Sequence, residues 1–401
     1  MERFVSLLGL VFMLLLAWSL SENRRRMNAR LIGCGLVLQV VMGMLLLWTA
    51  PGQMVFATAR DVINAVLAFS DAGAMFVFGE DLVHTVPMAF SVLPTIIFVS
   101  SLTAILFHLG VLQAIVKLMA RIMVWVMDTS GSESLCASAN VFIGMTEAPL
   151  VIRPYLTTMT RSELMAMMTA GLATIAGGVM AAYTAMGADA GHLLAASLMS
   201  APAALVVAKI MVPEVEESPT KGAVRVEVPR RDANVLDAAC RGAGEGLTLA
   251  LNVAAMLIAF IALVAMINGG LGLLPHLGGE PLSLERLLGW AMAPLAWLMG
   301  VEWADAQAVG MLLGKKTILN EFLAYHDLVA MQEQLSPRSF VIATYALCGF
   351  ANFGSVAILI GGIGALVPAR RQDIARYGFR ALIGGTLAAF MTACVAGVLL
   401  D

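Results

Sequence analysis

Two glutamates stand inside apolar stretches of the sequence. Glu147 lies in the run 144–149 (GMTEAP), and Glu321 follows Asn320 in a second apolar segment. A charged side chain at membrane depth costs roughly 2.5 to 3.5 kcal/mol even on insertion scales, so it is retained mainly where it faces a water-filled site or a ligand. The two carboxylates therefore predict a transporter or a channel.

The composition is that of a membrane protein. Of the 401 residues, 60% are hydrophobic and only 13% are charged, whereas a soluble domain carries about 25% charged residues. The formal net charge is -3 and no basic cluster is interleaved with aromatic residues on a solvated face, so the sequence gives no support for nucleic-acid binding. The five cysteines and five histidines fall at no metal-ligand spacing, so no cofactor is predicted.

Apolar runs of about 20 residues predict eight spanning helices in an all-α polytopic membrane protein. They are placed near residues 3–20, 31–49, 89–110, 163–184, 192–210, 246–268, 339–366 and 377–400. Residues 50–88 contain Pro51, Gly52 and several acids, and we expect this segment to lie along the outer face with only partial helix.

The distribution of positive charge predicts the orientation. An arginine cluster at residues 24–30 follows the first apolar run and no small-residue cleavage site is found after it, so we expect the first helix to be retained rather than removed as a signal peptide. Because positive residues favour the cytoplasmic side, both termini are predicted to be extracytoplasmic. Three prolines among alternating acids and bases mark residues 213–233 as a cytoplasmic linker.

The two halves of the chain share one order of features. Each has a segment with a glutamate, then an Arg-Ser pair, then a helix interrupted by glycine. In the first half these features are Glu147, 161–162 and 171–178. In the second half they are Glu321, 338–339 and 349–355. The apolar arms around each glutamate are too short to cross a bilayer, which predicts two re-entrant hairpins entering from opposite faces. Inverted repeats with broken helices place substrate and ion at the bilayer midplane, although glycines also serve close helix packing.

This organisation divides the chain into five parts. They are N-terminal scaffold helices at 1–110, a first repeat at 111–211 that starts with an interfacial helix, the linker at 212–245, a scaffold helix with an outer loop at 246–284, and a second repeat at 285–401.

Several ordered motifs resemble the concentrative nucleoside transporter family. They are residues 131–134 (GSES), 139–150 (ANVFIGMTEAPL), 159–164 (MTRSEL), 193–197 (LLAAS), 320–322 (NEF) and 346–355 (ALCGFANFGS). The resemblance implies a bacterial inner-membrane symporter in which an elevator-type transport domain moves against a trimeric scaffold. It also implies a homotrimer, surrounded by membrane lipid, that carries uridine or other nucleosides.

The resemblance implies a role for each matching site residue. Thr146 and Glu147 would read the nucleobase beside Met145, and Val179 would form an apolar wall. The ribose hydroxyls would be bound by Glu321, Asn352 and Ser355, and Phe350 would pack against the substrate. These residue types suit the tasks, because a carboxylate forms strong charge-assisted hydrogen bonds and an aromatic ring covers an apolar face.

The resemblance also implies a sodium site on Asn140, Ile143, Thr174 and Ile175, two through side-chain oxygens and two through backbone carbonyls. Thr174 stands where serine is expected, and it keeps the hydroxyl. A proton-coupled relative would instead use Glu147 or Glu321, whose pKa burial would raise.

One position departs from the family pattern in a way that affects recognition. Met145 stands where the family usually has glutamine, and methionine offers only a weak acceptor sulfur. Base preference is therefore the part of the resemblance that transfers least, and a nucleoside-like solute is an alternative substrate. The other explanation for methionine at position 145 is neutral sequence drift at a contact that water partly fills.

Two further questions stay open at this level. Lys315 and Lys316 precede Glu321, and we expect one to snorkel outward and the other to neutralise a carboxylate or a helix end. An intramembrane enzyme and a passive channel are alternatives to a transporter. The sequence lacks the nucleophile-base pair or His-Glu-x-x-His pattern of such an enzyme, so we predict a symporter and no enzymatic activity.

Overall fold

The computed structural model describes residues 2–222, 232–274 and 281–400. In these ranges the chain is α-helical and contains no β-strand. The all-α fold predicted from the sequence is confirmed.

The N-terminal part contains five helices. They are α1 (Glu2–Ser19), α2 (Ala29–Trp48), α3 (Ala50–Phe78), α4 (Glu80–Thr85) and α5 (Leu93–His108). The prediction of only partial helix over 50–88 is wrong, because α3 runs unbroken for 29 residues. Thr49 caps the backbone N–H of Gly52, and Pro51 lies in the first turn, where its missing N–H removes no helical hydrogen bond.

The first repeat contains six helices. They are α6 (Val111–Met127), α7 (Gly131–Ala139), α8 (Ala148–Val151), α9 (Arg161–Ala173), α10 (Gly177–Met186) and α11 (Ala190–Met211). Ser130 with Glu133, and Thr160 with Glu163, form capping boxes at the starts of α7 and α9. The helix predicted at 163–184 is interrupted at 174–176, as its glycines indicated.

The remainder of the chain contains seven helices. They are α12 (Val235–Leu271), α13 (Leu284–Leu298), α14 (Ala306–Ile318), α15 (Glu321–Ala330), α16 (Pro337–Leu347), α17 (Phe353–Leu366) and α18 (Arg371–Leu399). The chain bends by 118° between α13 and the segment that contains α14. The segment predicted as one helix over 339–366 is broken at 348–352, between α16 and α17.

Eight helical segments of the described chain are long and apolar enough to cross a membrane. Seven coincide with predicted spans. The eighth is α3, whereas the broken segment α16–α17 does not qualify as one continuous span. The described part of the chain therefore has eight candidate spans, the number predicted, but α3 takes the place of the helix predicted at 339–366.

The segment between α11 and α12 differs from the predicted solvated linker at both ends. Helix α12 begins at Val235, eleven residues before the predicted start of the span at 246. On the other side, the Ser218 hydroxyl donates to Glu163 Oε1 over 2.5 Å, and the Gly131 N–H donates to the Thr220 carbonyl over 2.9 Å. This part of the linker is therefore attached to the starts of α7 and α9. Residues 223–231 lie outside the described ranges.

Helices α5 and α12 pack closely because α12 has glycines at the contact. A Cβ atom at Gly242 would lie 2.6 Å from the Ser100 carbonyl oxygen, and one at Gly246 would lie 2.7 Å from Ile97 Cα. The Gly-x-x-x-Gly spacing lets the two backbones approach. This pair forms one wall of the cavity described next.

Candidate functional site

A cavity of about 480 Å³ lies where the interrupted helices meet α5 and α12. All eight residues predicted to bind substrate line it, namely Met145, Thr146, Glu147, Val179, Glu321, Phe350, Asn352 and Ser355. They come from positions up to 210 residues apart in the chain. The structure therefore brings the two halves of the chain together at one chamber.

Glu321 is a carboxylate of the cavity that is held by two side chains. It is the first residue of α15 and is buried, with 6% of its surface exposed. The Tyr183 hydroxyl donates to its Oε1 over 3.0 Å, and the Asn352 amide donates to its Oε2 over 2.8 Å. Since a carboxylate can accept about four hydrogen bonds, Glu321 keeps capacity for a ligand.

Asparagines cap the N-termini of two helices at the site, α15, which begins with Glu321, and α17. Asn320 caps α15 by accepting from the Leu323 N–H over 2.9 Å, and Asn352 caps α17 by accepting from the Ser355 N–H over 2.7 Å. These side-chain amides satisfy the free backbone donors of a helix N-terminus. Asn352 therefore holds the start of α17 with its oxygen and Glu321 with its nitrogen.

Backbone hydrogen bonds connect the non-helical segments that interrupt the helices of the two halves. The Phe350 N–H donates to the Thr174 carbonyl over 3.3 Å, and the Gly177 N–H donates to the Phe142 carbonyl over 3.0 Å. Gly349 has φ +151°, and a Cβ there would lie 2.9 Å from the Ala173 carbonyl oxygen. Non-helical backbone at this depth is tolerated because its polar groups are satisfied within the protein.

The turn between α7 and α8 contributes Met145 and Glu147 to the cavity. Met145 is buried, and its Cβ would lie 3.0 Å from a Cβ at Gly171. The lack of a side chain at Gly144 leaves room for the Glu147 carboxylate, which a Cβ there would overlap. Met145 thus faces the cavity from a closely packed position.

The four residues predicted to bind sodium lie at the same junction. Asn140, Thr174 and Ile175 are buried, and Ile143 lines the cavity. The Asn140 amide donates to the Cys136 carbonyl over 3.0 Å, and its Oδ1 is buried without a hydrogen-bond partner among the described residues. The Thr174 hydroxyl donates to the Ala170 carbonyl over 2.8 Å, which leaves its oxygen lone pairs available.

The two lysines before Glu321 have different partners. Lys315 Nζ lies 2.5 Å from Asp327 Oδ2 and 3.9 Å from Glu285 Oε1. The Lys316 ammonium is buried and donates to the Ala346 carbonyl over 2.9 Å, in the last turn of α16. Lys315 therefore pairs with carboxylates, and Lys316 neutralises a helix end.

Sequence reasoning missed one residue of α10 that holds Glu321, and it missed the polar residues that α12 adds to the cavity. Tyr183 bonds to Glu321 and stacks on Tyr325 with ring centroids 4.3 Å apart. On α12 the missed residues are Arg241, Glu245, Thr248 and Asn252. Their spacing of four, three and four residues places them on one face of a helix, and this polar stripe on an apolar helix is the signal that could have found them.

A chain of apolar helices that encloses a carboxylate-containing cavity at broken helices has the architecture of a membrane transporter. The chain belongs to the Na+ dependent nucleoside transporter family. Residues 8–81 match the N-terminal model of that family and residues 192–397 match its C-terminal model, while residues 89–190 match a gate model described as nucleoside recognition. The predicted family is confirmed.

Relatives of known structure and sequence extend this result. The structure of CNTnw in an inward-facing substrate-bound state is 41% identical with a TM-score of 0.92, covering 99% of this chain and 98% of that one. A transporter of Haemophilus influenzae is 42% identical over 99% of this chain and 98% of its own length. Solute carrier family 28 member 3 of Mus musculus is 42% identical, and this chain spans 59% of its length.

Proposed function

We propose that this protein imports nucleosides by symport with sodium through alternating access. The observation that carries the proposal is the convergence of all eight predicted substrate residues on one cavity. Within it, Glu321 accepts from Tyr183 and Asn352, and it would accept further hydrogen bonds from ribose hydroxyls. Phe350 and Val179 line the same cavity and would cover the apolar faces of the nucleoside.

The contacts around Asn140 support sodium as the coupling ion. Its buried Oδ1 has no protein donor among the described residues, and an oxygen in that situation is costly unless it meets water or a cation. Ile143 and Ile175 would add backbone carbonyls, and Thr174 its hydroxyl oxygen. The family model is named for Na+ dependence, and one relative of Rattus norvegicus is named sodium/nucleoside cotransporter 1.

The architecture supports a moving transport domain. We assign to that domain the two predicted re-entrant hairpins, around Glu147 and Glu321, together with the helices α9–α11 and α16–α18. We assign α5 and α12 to a scaffold that would form the contacts of a homotrimer. Helix α12 has exposed apolar side chains, including Leu251, Ile258 and Met266, which would face a second copy or lipid. CNTnw, a relative with this fold, has structures named inward-facing and outward-facing.

The position of the cavity supports an inward-open state in a bacterial inner membrane. Its lining extends to Phe107 at the C-terminal end of α5 and to Arg241 near the start of α12. These helix ends adjoin the segments whose positive charge predicts a cytoplasmic location. The same distribution of charge would place both chain termini outside the cytoplasm.

Uptake of labelled uridine and adenosine into proteoliposomes tests the proposal. An inward sodium gradient should drive saturable accumulation, whereas a proton gradient alone should not. Uptake that follows the proton gradient would contradict sodium coupling, and the absence of gradient-driven uptake of both nucleosides by folded protein would contradict nucleoside symport.

A further inference from the structure

The wall of the cavity formed by α12 contains an ionic cluster beside the proposed nucleoside site. Arg241 and Glu245 line the cavity one helical turn apart, and Asp232 precedes α12. Farther along the same face, Thr248 and Asn252 extend the polar stripe, and both line the cavity that Glu321 also lines. The cluster therefore borders the same cavity as the proposed nucleoside site.

The guanidinium of Arg241 is held by two carboxylates. Its Nε and Nη2 donate to the two oxygens of Asp232 over 2.6 and 2.9 Å. Its Nη1 lies 2.9 Å from both oxygens of Glu245. The side chain of Asp232 is only 6% exposed and that of Arg241 is 29% exposed. The contact is thus a partly buried, bidentate pair, whose geometry is fixed.

This pairing occupies the group that would otherwise recognise a phosphate. The planar fork of arginine matches phosphate oxygens as well as carboxylate oxygens. Among the described residues, Arg241 is the only cationic side chain that lines the cavity, whereas Glu147, Glu245 and Glu321 all line it. A phosphate group carries about 1.5 to 2 negative charges at neutral pH. Among the described lining residues it would meet carboxylates and a single cation, Arg241, which is already paired.

We propose that the cluster of Asp232, Arg241 and Glu245 makes the cavity selective for uncharged nucleosides over nucleoside phosphates. The two carboxylates withhold Arg241 from the phosphate and add negative charge beside it. This inference rests on the proposed function, because it concerns the same cavity. It assigns a role in specificity to three residues outside the predicted binding set.

Binding of uridine 5′-monophosphate to the purified full-length protein tests the inference. The double variant Asp232→Asn with Glu245→Gln should gain affinity for this nucleotide by roughly tenfold, since a hydrogen-bonded charged contact contributes about 1.5 to 3 kcal/mol. Adding Arg241→Gln to the double variant should remove the gain. Ribose 5-phosphate should show the same pattern, because the phosphate is the group recognised.

A matched pair of substitutions controls for net charge. Glu216→Gln with Glu333→Gln removes two exposed carboxylates that do not line the cavity, and it should leave nucleotide affinity unchanged. An equal gain in this control, or no gain in the Asp232 and Glu245 variant, would overturn the inference. Uridine binding by the unaltered protein is measured separately, and its absence would contradict the proposed function while the phosphate titrations still report on Arg241.

Discussion

The amide of Asn352 donates a 2.8 Å hydrogen bond to the carboxylate of Glu321, and so joins the first turn of α15 to the break between α16 and α17. Each residue lies at a helix start, where free backbone donors favour negative charge and polar ligands. The contact fixes one carboxylate oxygen, while Tyr183 approaches the other. The breaks thus create a rigid acceptor inside an apolar protein.

Replacement of Glu321 by glutamine should lower uridine affinity about 10- to 100-fold, because charged hydrogen bonds contribute about 1.5 to 3 kcal/mol each. Calorimetric titration of uridine into protein at saturating sodium measures the loss. Glu333→Gln, at an exposed position, is the matched control and should bind normally. Normal binding by the Glu321 variant would remove this residue from the site.

Replacement of Met145 by glutamine should change the ratio of uridine to adenosine affinity about fivefold or more, because one new hydrogen bond to a base edge contributes about 1 kcal/mol. Met145→Leu keeps an apolar side chain of similar volume at this buried position and should preserve the ratio. Competition between the two nucleosides for binding measures both variants. An unchanged ratio with glutamine would show that residue 145 does not read the base.

Replacement of Asn140 by alanine should weaken sodium binding, because it removes the buried Oδ1, which has no hydrogen-bond partner within the described part of the chain. A ligand at 100 times its dissociation constant stabilises the folded state by about 2.7 kcal/mol, so sodium should raise the unfolding temperature of the unaltered protein and much less that of the variant. Potassium at equal ionic strength is the control. The same sodium-dependent rise in both proteins would place the ion elsewhere.

Replacement of Gly349 by alanine should destabilise the protein by about 1 to 3 kcal/mol, the usual cost of a strained backbone conformation. The reason is its φ of +151° together with the 2.9 Å approach of a Cβ to the Ala173 carbonyl oxygen. Gly361→Ala is the control, because a Cβ there has no neighbour within 4 Å and the residue lies inside α17. The unfolding temperature should fall for the first variant and not for the second. Equal temperatures would show that the break tolerates a side chain.

The sequence was most informative where local chemistry decides the structure. Apolar runs predicted seven of the spanning segments, and the glycines at 171–178 and 349–355 predicted both helix breaks. Ser130 and Thr160 start helices that they cap locally. The prediction over 50–88 was wrong because Pro51 and Gly52 lie in the first turn of α3, where they do not interrupt the helix.

The sequence by itself determined the membrane class and the family, because these depend on residue types and their order along the chain, and it predicted the set of candidate site residues. Only the tertiary structure decided which side chains meet. Tyr183 lies 138 residues from Glu321, and the polar face of α12 reaches the cavity because glycines let that helix pack against α5. The partners of Lys315 and Lys316 were likewise decided by packing. Such contacts depend on how distant helices are arranged, which local sequence patterns do not encode.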